Sequence, residues 1–336
     1  MKTILLTGAS GFIGKQVLAN LLAQNHHIIA PTRNPQKLKS FKHYSNLEIL
    51  ECDIYAKDLQ IKCDILIHLA WDKMDSVCDF IHIESNFIHS LTFLQNALKY
   101  GTKQIVVAGS CFEYGNHWGK VSEECIPNPQ TSYGIAKVFL QKALFELQKI
   151  YDFNLKWLRI FYLYGDGQNK HSLIPQLQNA IDSKKVSFDM SGGEQMRDYL
   201  DIQIAAKYIT NIALNDDFNG ICNICSGTPI SIRNLIEQYL QKTNQKIHLN
   251  FGFYPYPNYE PLAYFGDNDK LKSLLKNCKF ENPNWGGAER DELRIIYAFF
   301  VESSVKFIVF VRLANLDSAP RNNSYPQPNP KDLKVA

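Results

Sequence analysis

Short apolar runs alternate along the first half of the chain with longer segments of helical periodicity. Ile4-Leu5-Leu6 and residues 28–31, 47–51, 64–71, 104–109 and 155–161 have the length and composition of buried strands. Between them, residues 12–24, 81–100 and 133–150 have helical length and spacing, and Gly101 stands where the second of these should stop. Strands that read as continuous apolar runs are covered on both faces. The alternation therefore predicts an α/β protein built on a doubly wound parallel sheet. Ligands of such sheets bind beyond the carboxyl ends of the strands, so the residues following each run are the candidates for chemistry.

The first run enters Thr7-Gly8-Ala9-Ser10-Gly11-Phe12-Ile13-Gly14 and then a helical segment. A strand-to-helix turn with glycines at this spacing suits a dinucleotide pyrophosphate. The chain can turn tightly, approach the phosphates closely and offer the free N–H groups of a helix start. Gly8, Ser10, Gly11, Phe12, Ile13 and Gly14 are accordingly candidate cofactor contacts. After the second run comes Thr32-Arg33. An acidic residue there would accept hydrogen bonds from a ribose 2′-hydroxyl, whereas an arginine suits a 2′-phosphate, so NADP(H) is favoured and NAD(H) is the second choice. Asp53 and Ile54, after the third run, are placed to reach and pack on an adenine. Leu69, Ala70 and Trp71 end the fourth and can lie along the cofactor, while His68 reads as a packed strand-end histidine.

Ser110 ends the fifth run, at the crevice. Tyr133 and Lys137 lie four residues apart near the start of the next helix, hence on one face of it, and can address one bound molecule. A phenol is a poor base at neutral pH unless a nearby ammonium or a positive nicotinamide stabilises the phenolate, the role expected of Lys137. Tyr133 would then exchange a proton with a substrate oxygen that Ser110 hydrogen-bonds.

Composition narrows the partners. The 336 residues are 45% hydrophobic, with a formal charge of +3 from 36 basic and 33 acidic residues, which gives no reason to expect nucleic acid. Eight cysteines without a framework spacing suit a reducing cytoplasm. The Cys222/Cys225 pair lacks the further ligands a metal would need and reads as structural. The apolar start breaks at Thr7-Gly8 before a leader is complete, so no export is expected. Residues 295–313 are apolar but are interrupted by Glu302, Lys306 and Arg312, which makes a poor membrane span. Residues 319–336 are polar and rich in Pro and Asn, and read as disordered.

The glycine loop, Asp53-Ile54, His68-Leu69-Ala70-Trp71, Asn86, Ser110, Tyr133/Lys137 and Arg197-Asp198-Tyr199 together resemble the extended short-chain dehydrogenase/reductases, the NAD(P)-dependent epimerase/dehydratase group acting on nucleotide sugars. Residues 109–115 and 190–199 look most like the nucleotide-deoxysugar 4-ketoreductases of that group. The resemblance covers residues 3–283. It implies a Rossmann domain over 1–157 to which 198–215 returns, and a smaller, interleaved C-terminal substrate-binding domain mainly over 158–283. Residues 284–336 are left as an atypical, partly disordered tail. It further implies a cofactor contact at Asn86, a nicotinamide-ribose contact at Lys137, catalysis by Ser110, Tyr133 and Lys137, and substrate contacts at Ser110, Cys111, Phe112 and Tyr133. Arg197 is expected to hold the phosphate of a nucleoside-diphosphate sugar, the alternative being an ion pair with Asp198 or Asp201.

A homodimer is open as the assembly. The resemblance implies 4-keto reduction, whereas a 4,6-dehydratase of the group would be expected to carry an Asp-Glu pair where this chain has Cys111-Phe112. The alternatives are a 4-epimerase, an NAD-dependent 4-dehydrogenase or, outside catalysis, a cofactor-sensing regulator. One departure concerns the nucleotide: no arginine lies between Phe251 and Lys270, where many relatives supply a second phosphate contact.

Overall fold

The computed structural model describes residues 1–56 and 60–275. In chain order the first half is β1 (Thr3–Thr7), α1 (Phe12–Leu22), β2 (His27–Thr32), β3 (Leu47–Glu51), β4 (Ile65–His68), α2 (Ile88–Lys99), β5 (Gln104–Ser110), β6 (Gly119–Val121), α3 (Ser132–Leu147) and β7 (Asn154–Ile160). The second half is β8 (Tyr162–Tyr164), α4 (Leu173–Asp182), β9 (Ser187–Asp189), β10 (Met196–Asp201), α5 (Ile202–Leu214), β11 (Gly220–Ile224), β12 (Pro229–Ser231), α6 (Ile232–Thr243), β13 (His248–Asn250), β14 (Tyr264–Gly266) and α7 (Asp269–Leu274).

Seven strands make one parallel sheet in the order β11-β7-β5-β4-β1-β2-β3. The order reverses at β1 and β4, where Thr7 pairs with His68, and the helices that follow them, α1 and α2, pack on opposite faces of the sheet. That divergence opens the crevice that a doubly wound sheet offers a ligand.

Alternation along each strand fills both faces. Ile4, Leu6, Ile28, Ile65 and Ile67 pack with Val17, Leu18 and Leu21 of α1 and Ala205, Ile209 and Ile212 of α5. Leu5, Leu66, Ile105 and Val107 pack on the other side with Phe93 and Leu94 of α2 and Leu140 and Leu144 of α3. Every strand of the sheet centre is thus apolar at consecutive positions because each face has its own helical layer.

The chain comes back to this sheet late. α5 lies on α1, and β11 pairs with β7, so Cys222 is buried in an edge strand and Cys225 just past it. Among the remaining elements, β12-β10-β8 form a second, smaller sheet, with Leu177, Ile230, Leu235 and Ile236 in a core of their own.

One local expectation changes. Residues 81–100 are not one α-helix, because His82–Phe87 forms a π-helical turn before α2 begins. Beyond the run 155–161, residues 162–164 form a further strand, β8, that pairs with β10. The tail expected over 284–336, with its apolar run 295–313, lies outside the described residues. Among the described residues, no helix is long and apolar enough to cross a membrane.

Candidate active site

The glycine turn is shaped by backbone contact. Gly8 has φ +71°, and a Cβ there would lie 2.7 Å from the backbone nitrogen of Ala70. A Cβ on Gly14 would lie 2.0 Å from the Gly8 carbonyl oxygen. Neither neighbour can yield, so both positions require glycine and the loop packs as a closed turn. Gly11 donates from its backbone to the Gly8 carbonyl at 2.9 Å and stands at the N-cap of α1 without a capping side chain. The helix start therefore presents open N–H groups and its positive end to the crevice. These residues fit a dinucleotide pyrophosphate.

Beside the turn, one recess is lined by Gly8, Ser10, Thr32, Arg33, Asp53, Ile54, Leu69, Ala70, Trp71 and Asp72. It brings together most of the adenosine-side residues expected from the sequence. Asp53 accepts the Tyr55 backbone N–H at 3.0 Å, which shapes its own turn. Arg33 donates to Asp72 at 2.7 Å, and that pair raises the Arg33 guanidinium further above its usual range. The NADP(H) preference expected from Arg33 finds no support here, since the guanidinium is already held by a carboxylate.

A larger cleft continues from the turn past Phe12 and Ile13 to Ser110, Cys111, Phe112, Tyr133 and Lys137. Ser110 ends β5 in extended conformation, and its hydroxyl accepts the Phe112 N–H at 3.2 Å. Its own N–H donates to Glu113 at 2.8 Å, completing a capping box around the one-turn helix Cys111–Glu113. Thr131 caps α3 through the Gly134 N–H at 3.1 Å, which places Tyr133 and Lys137 in the first turns, facing the cleft.

Burial dominates the charge states of this trio. It pushes the Tyr133 phenol well up, and a hydrogen bond with Ser110 only partly offsets the rise. It pushes Lys137 down to about 7, against the opposing pull of Glu113. Lys137 donates to the Ala108 carbonyl at 2.8 Å and sits over the Trp71 ring, 5.6 Å from the Tyr133 ring centre. The phenol-lowering role expected of Lys137 is thus not set up by the protein alone: in this desolvated pocket the burial cost exceeds what the ammonium returns.

Cys111 cannot serve as an acid or base, because burial pushes its thiol up to about 12 and the Tyr264 hydroxyl donates to it at 3.2 Å. Phe112 turns its ring toward Tyr133 and Tyr162. His68 is a packed residue as expected: Thr7 and Ser90 hydrogen-bond its two ring nitrogens at 2.9 and 3.2 Å, and burial lowers it to about 3, so the ring is neutral.

Two expected contacts lie away from the cleft. Asn86 is buried behind the end of β4, donating to the Asp72 carbonyl at 2.9 Å and accepting the Asp72 N–H at 3.4 Å. It holds the turn that carries Trp71 and Asp72. Arg197 is 2% exposed and donates to Glu260 at 2.8 Å and to the carbonyls of Met196 and Leu262. Neither Asp198 nor Asp201 is its partner. Asp198 instead accepts from Ser226, Gly227 and Gly266, and Asp201 caps α5.

Sequence reasoning missed two organising residues. Glu113 is wholly buried and accepts from Ser110, Gln141, Trp157 and Arg159. Its place three residues after Ser110 is the capping-box spacing, a signal that was there to read. His82 takes hydrogen bonds from Trp71 Nε1 and Asn86 Nδ2 on Nδ1 and donates from Nε2 to the Ser76 carbonyl, an arrangement that assigns the neutral Nε2–H tautomer. No spacing in the sequence announces it, since the π-helical turn sets its direction.

The profile of the NAD dependent epimerase/dehydratase family matches residues 4–225. A dTDP-6-deoxy-L-talose 4-dehydrogenase (NAD(+)) from Aggregatibacter actinomycetemcomitans is 32% identical over 270 residues, which cover 78% of this chain and 98% of the relative. A dTDP-4-dehydro-6-deoxyglucose reductase from Escherichia coli is 27% identical over 74% of this chain and 84% of its own length. Among solved structures, a UDP-N-acetylglucosamine 4-epimerase from Methanobrevibacter ruminantium M1 superimposes with a TM-score of 0.73 at 23% identity, covering 82% of this chain and 92% of that one. A UDP-glucuronic acid 4-epimerase from Bacillus cereus, in complex with UDP-glucuronic acid and NAD, gives 0.73 at 22% identity over 84% and 94%. These last two establish the fold. With a glycine turn that admits no side chain and a Ser-Tyr-Lys trio on one cleft, the chain belongs to the NAD-dependent epimerase/dehydratase family and is an enzyme of it.

Proposed function

We propose that the protein reduces the 4-keto group of a nucleoside-diphosphate sugar to the alcohol, with NAD(P)H as the cofactor. The observation that carries this is the composition of the cleft wall. Ser110, Tyr133 and Lys137 meet there, while the two positions after Ser110 hold a thiol and a phenyl ring instead of the acid and base a dehydration needs. The names of the two relatives above, a 4-dehydrogenase and a reductase of dTDP-deoxysugars, support the same carbon and the same bond.

A reduced nicotinamide dinucleotide, held by the glycine turn and the recess beside it, would supply a hydride for the sugar carbon. Tyr133, buried and protonated, donates to the carbonyl oxygen, and the Ser110 hydroxyl hydrogen-bonds that oxygen as charge grows on it. Lys137, near neutrality in its preference, can carry charge when the phenol loses its proton and can return it. A 4-epimerase needs the same groups and retains its cofactor. The engagement of Arg33 by Asp72 removes the argument from a 2′-phosphate against it.

The test is a screen of dTDP-, GDP-, CDP- and UDP-4-keto sugars for NADH and NADPH oxidation, with NMR of the product. Oxidation of either cofactor with formation of the 4-hydroxy sugar is expected. Inversion at C4 of a sugar nucleotide, without net cofactor consumption, would replace the reductase by the epimerase.

A further inference from the structure

The geometry points to Asp72 as the residue that sets cofactor choice, holding Arg33 so that the adenosine recess prefers NAD(H) to NADP(H). The preference is thus decided from the end of β4, not from the end of β2 where the usual acidic residue would stand. The assignment rests on dinucleotide binding in this recess, not on the identity of the sugar.

Three observations support it. The first is charge. Among the described residues lining the recess, Arg33 is the single cation, against the carboxylates of Asp53 and Asp72. One positive and two negative groups leave it at −1, an unwelcoming environment for a 2′-phosphate carrying nearly two negative charges of its own. The second is geometry. The Arg33 Nη2 is 2.7 Å from Asp72 Oδ1, so the fork that would grip a phosphate is turned onto a carboxylate.

The third is that Asp72 is held in place. Asn86, buried behind the turn, clamps both the N–H and the carbonyl of Asp72, and is itself fixed by His82. The backbone that carries Asp72 is therefore held in place, whereas that of an acid on a loose loop would move when a ligand arrives. Thr32, at the usual acidic position, bonds toward Ser10 at 3.4 Å and adds no charge.

The surface location limits the strength of the pair itself, because exposed ion pairs are weak. The larger effect is on Arg33, which Asp72 keeps from a 2′-phosphate. Removing the carboxylate frees the guanidinium.

The experiment is equilibrium titration of the purified full chain with NADH and with NADPH, followed by nicotinamide fluorescence, for wild type, Asp72→Asn, Arg33→Ala and the double variant. Wild type is expected to bind NADH more tightly. Asp72→Asn should lower the ratio of the NADPH to the NADH dissociation constant about tenfold, and the double variant should lose that gain because no cation remains to grip the phosphate. Asp72→Ser serves as the second variant, with the same ratio expected, should the amide itself contact the ribose.

Tighter NADPH binding in wild type would overturn the assignment, as would a ratio unchanged within twofold in both Asp72 variants or a gain that persists without Arg33. A protein that binds neither cofactor would remove the dinucleotide reading and this assignment together. Failure of every sugar substrate would leave the titration, and the assignment, standing.

Discussion

The side-chain nitrogen of Lys137 lies 3.5 Å from the centre of the Trp71 indole ring. The ammonium therefore rests on a π face and on the Ala108 carbonyl, at the junction of the adenosine recess and the reacting end of the cleft. It is charged at the expense of burial, which sets its titration near neutrality.

Lys137→Met separates this cost from function. The folded-state value is about 7 and the reference value 10.5. Between them the unfolded chain holds a proton that the folded protein has released, so this group makes stability rise with pH across that window. Below about 7 the full cost of the buried ammonium is present. Removing it should stabilise the protein at pH 6 by about 1–3 kcal/mol, with the gain fading by pH 10.5, while turnover is lost. Urea unfolding at the two pH values checks this, and a variant less stable at pH 6 would mean that Trp71 and Ala108 more than compensate burial.

Tyr133→Phe removes the proton donor and leaves the ring that packs on Phe112, Trp71 and His82. We expect kcat to fall by about 10²–10⁴ while the NADH dissociation constant stays within twofold. Steady-state kinetics beside a fluorescence titration measure both. Turnover near wild type would assign the proton to another group.

Glu113→Ala should cost about 3–5 kcal/mol of stability, because it strands the buried Arg159 and the Trp157 indole N–H without their acceptor. Glu113→Gln should cost less and fold at 25 °C. Chemical denaturation of both decides it, and a loss under 1 kcal/mol for the alanine variant would show that water replaces the carboxylate.

Gly14→Ala places a methyl group against the Gly8 carbonyl, with no flexible side chain to move aside. Either α1 shifts or the turn opens, and both disturb the phosphate cradle. A hundredfold or greater loss of NADH affinity is the expected result, read by titration of the soluble fraction. Unchanged affinity would mean that this cradle is not where the pyrophosphate sits.

What the sequence displayed was local. The strand runs, the glycine turn, the strand-end Ser110 and the Tyr133/Lys137 spacing are all patterns within a few residues, and period and turn chemistry expose them. Arg197 shows the limit. Its basic side chain and position suggested a phosphate ligand, but its partner Glu260 stands 63 residues later on a loop that only tertiary packing brings near. Arg33 and Asp72 are likewise 39 residues apart, and an unpaired arginine in a motif cannot be told from a paired one without the fold. Asn86 was expected to touch the cofactor, but it bonds the backbone of Asp72 from within the π-helical turn at residues 82–87, which no spacing in the sequence announces.

The buried pair of Glu113 and Arg159 ties together four positions from three elements, since Gln141 of α3 and Trp157 of β7 share the same carboxylate. Any single replacement among the charged two leaves an orphaned ion beneath Ser110. Replacing either charged partner by an apolar residue alone is therefore costly, while a joint replacement of the pair need not be. The floor beneath Ser110 is thus constrained one residue at a time by a carboxylate that the cleft itself does not expose.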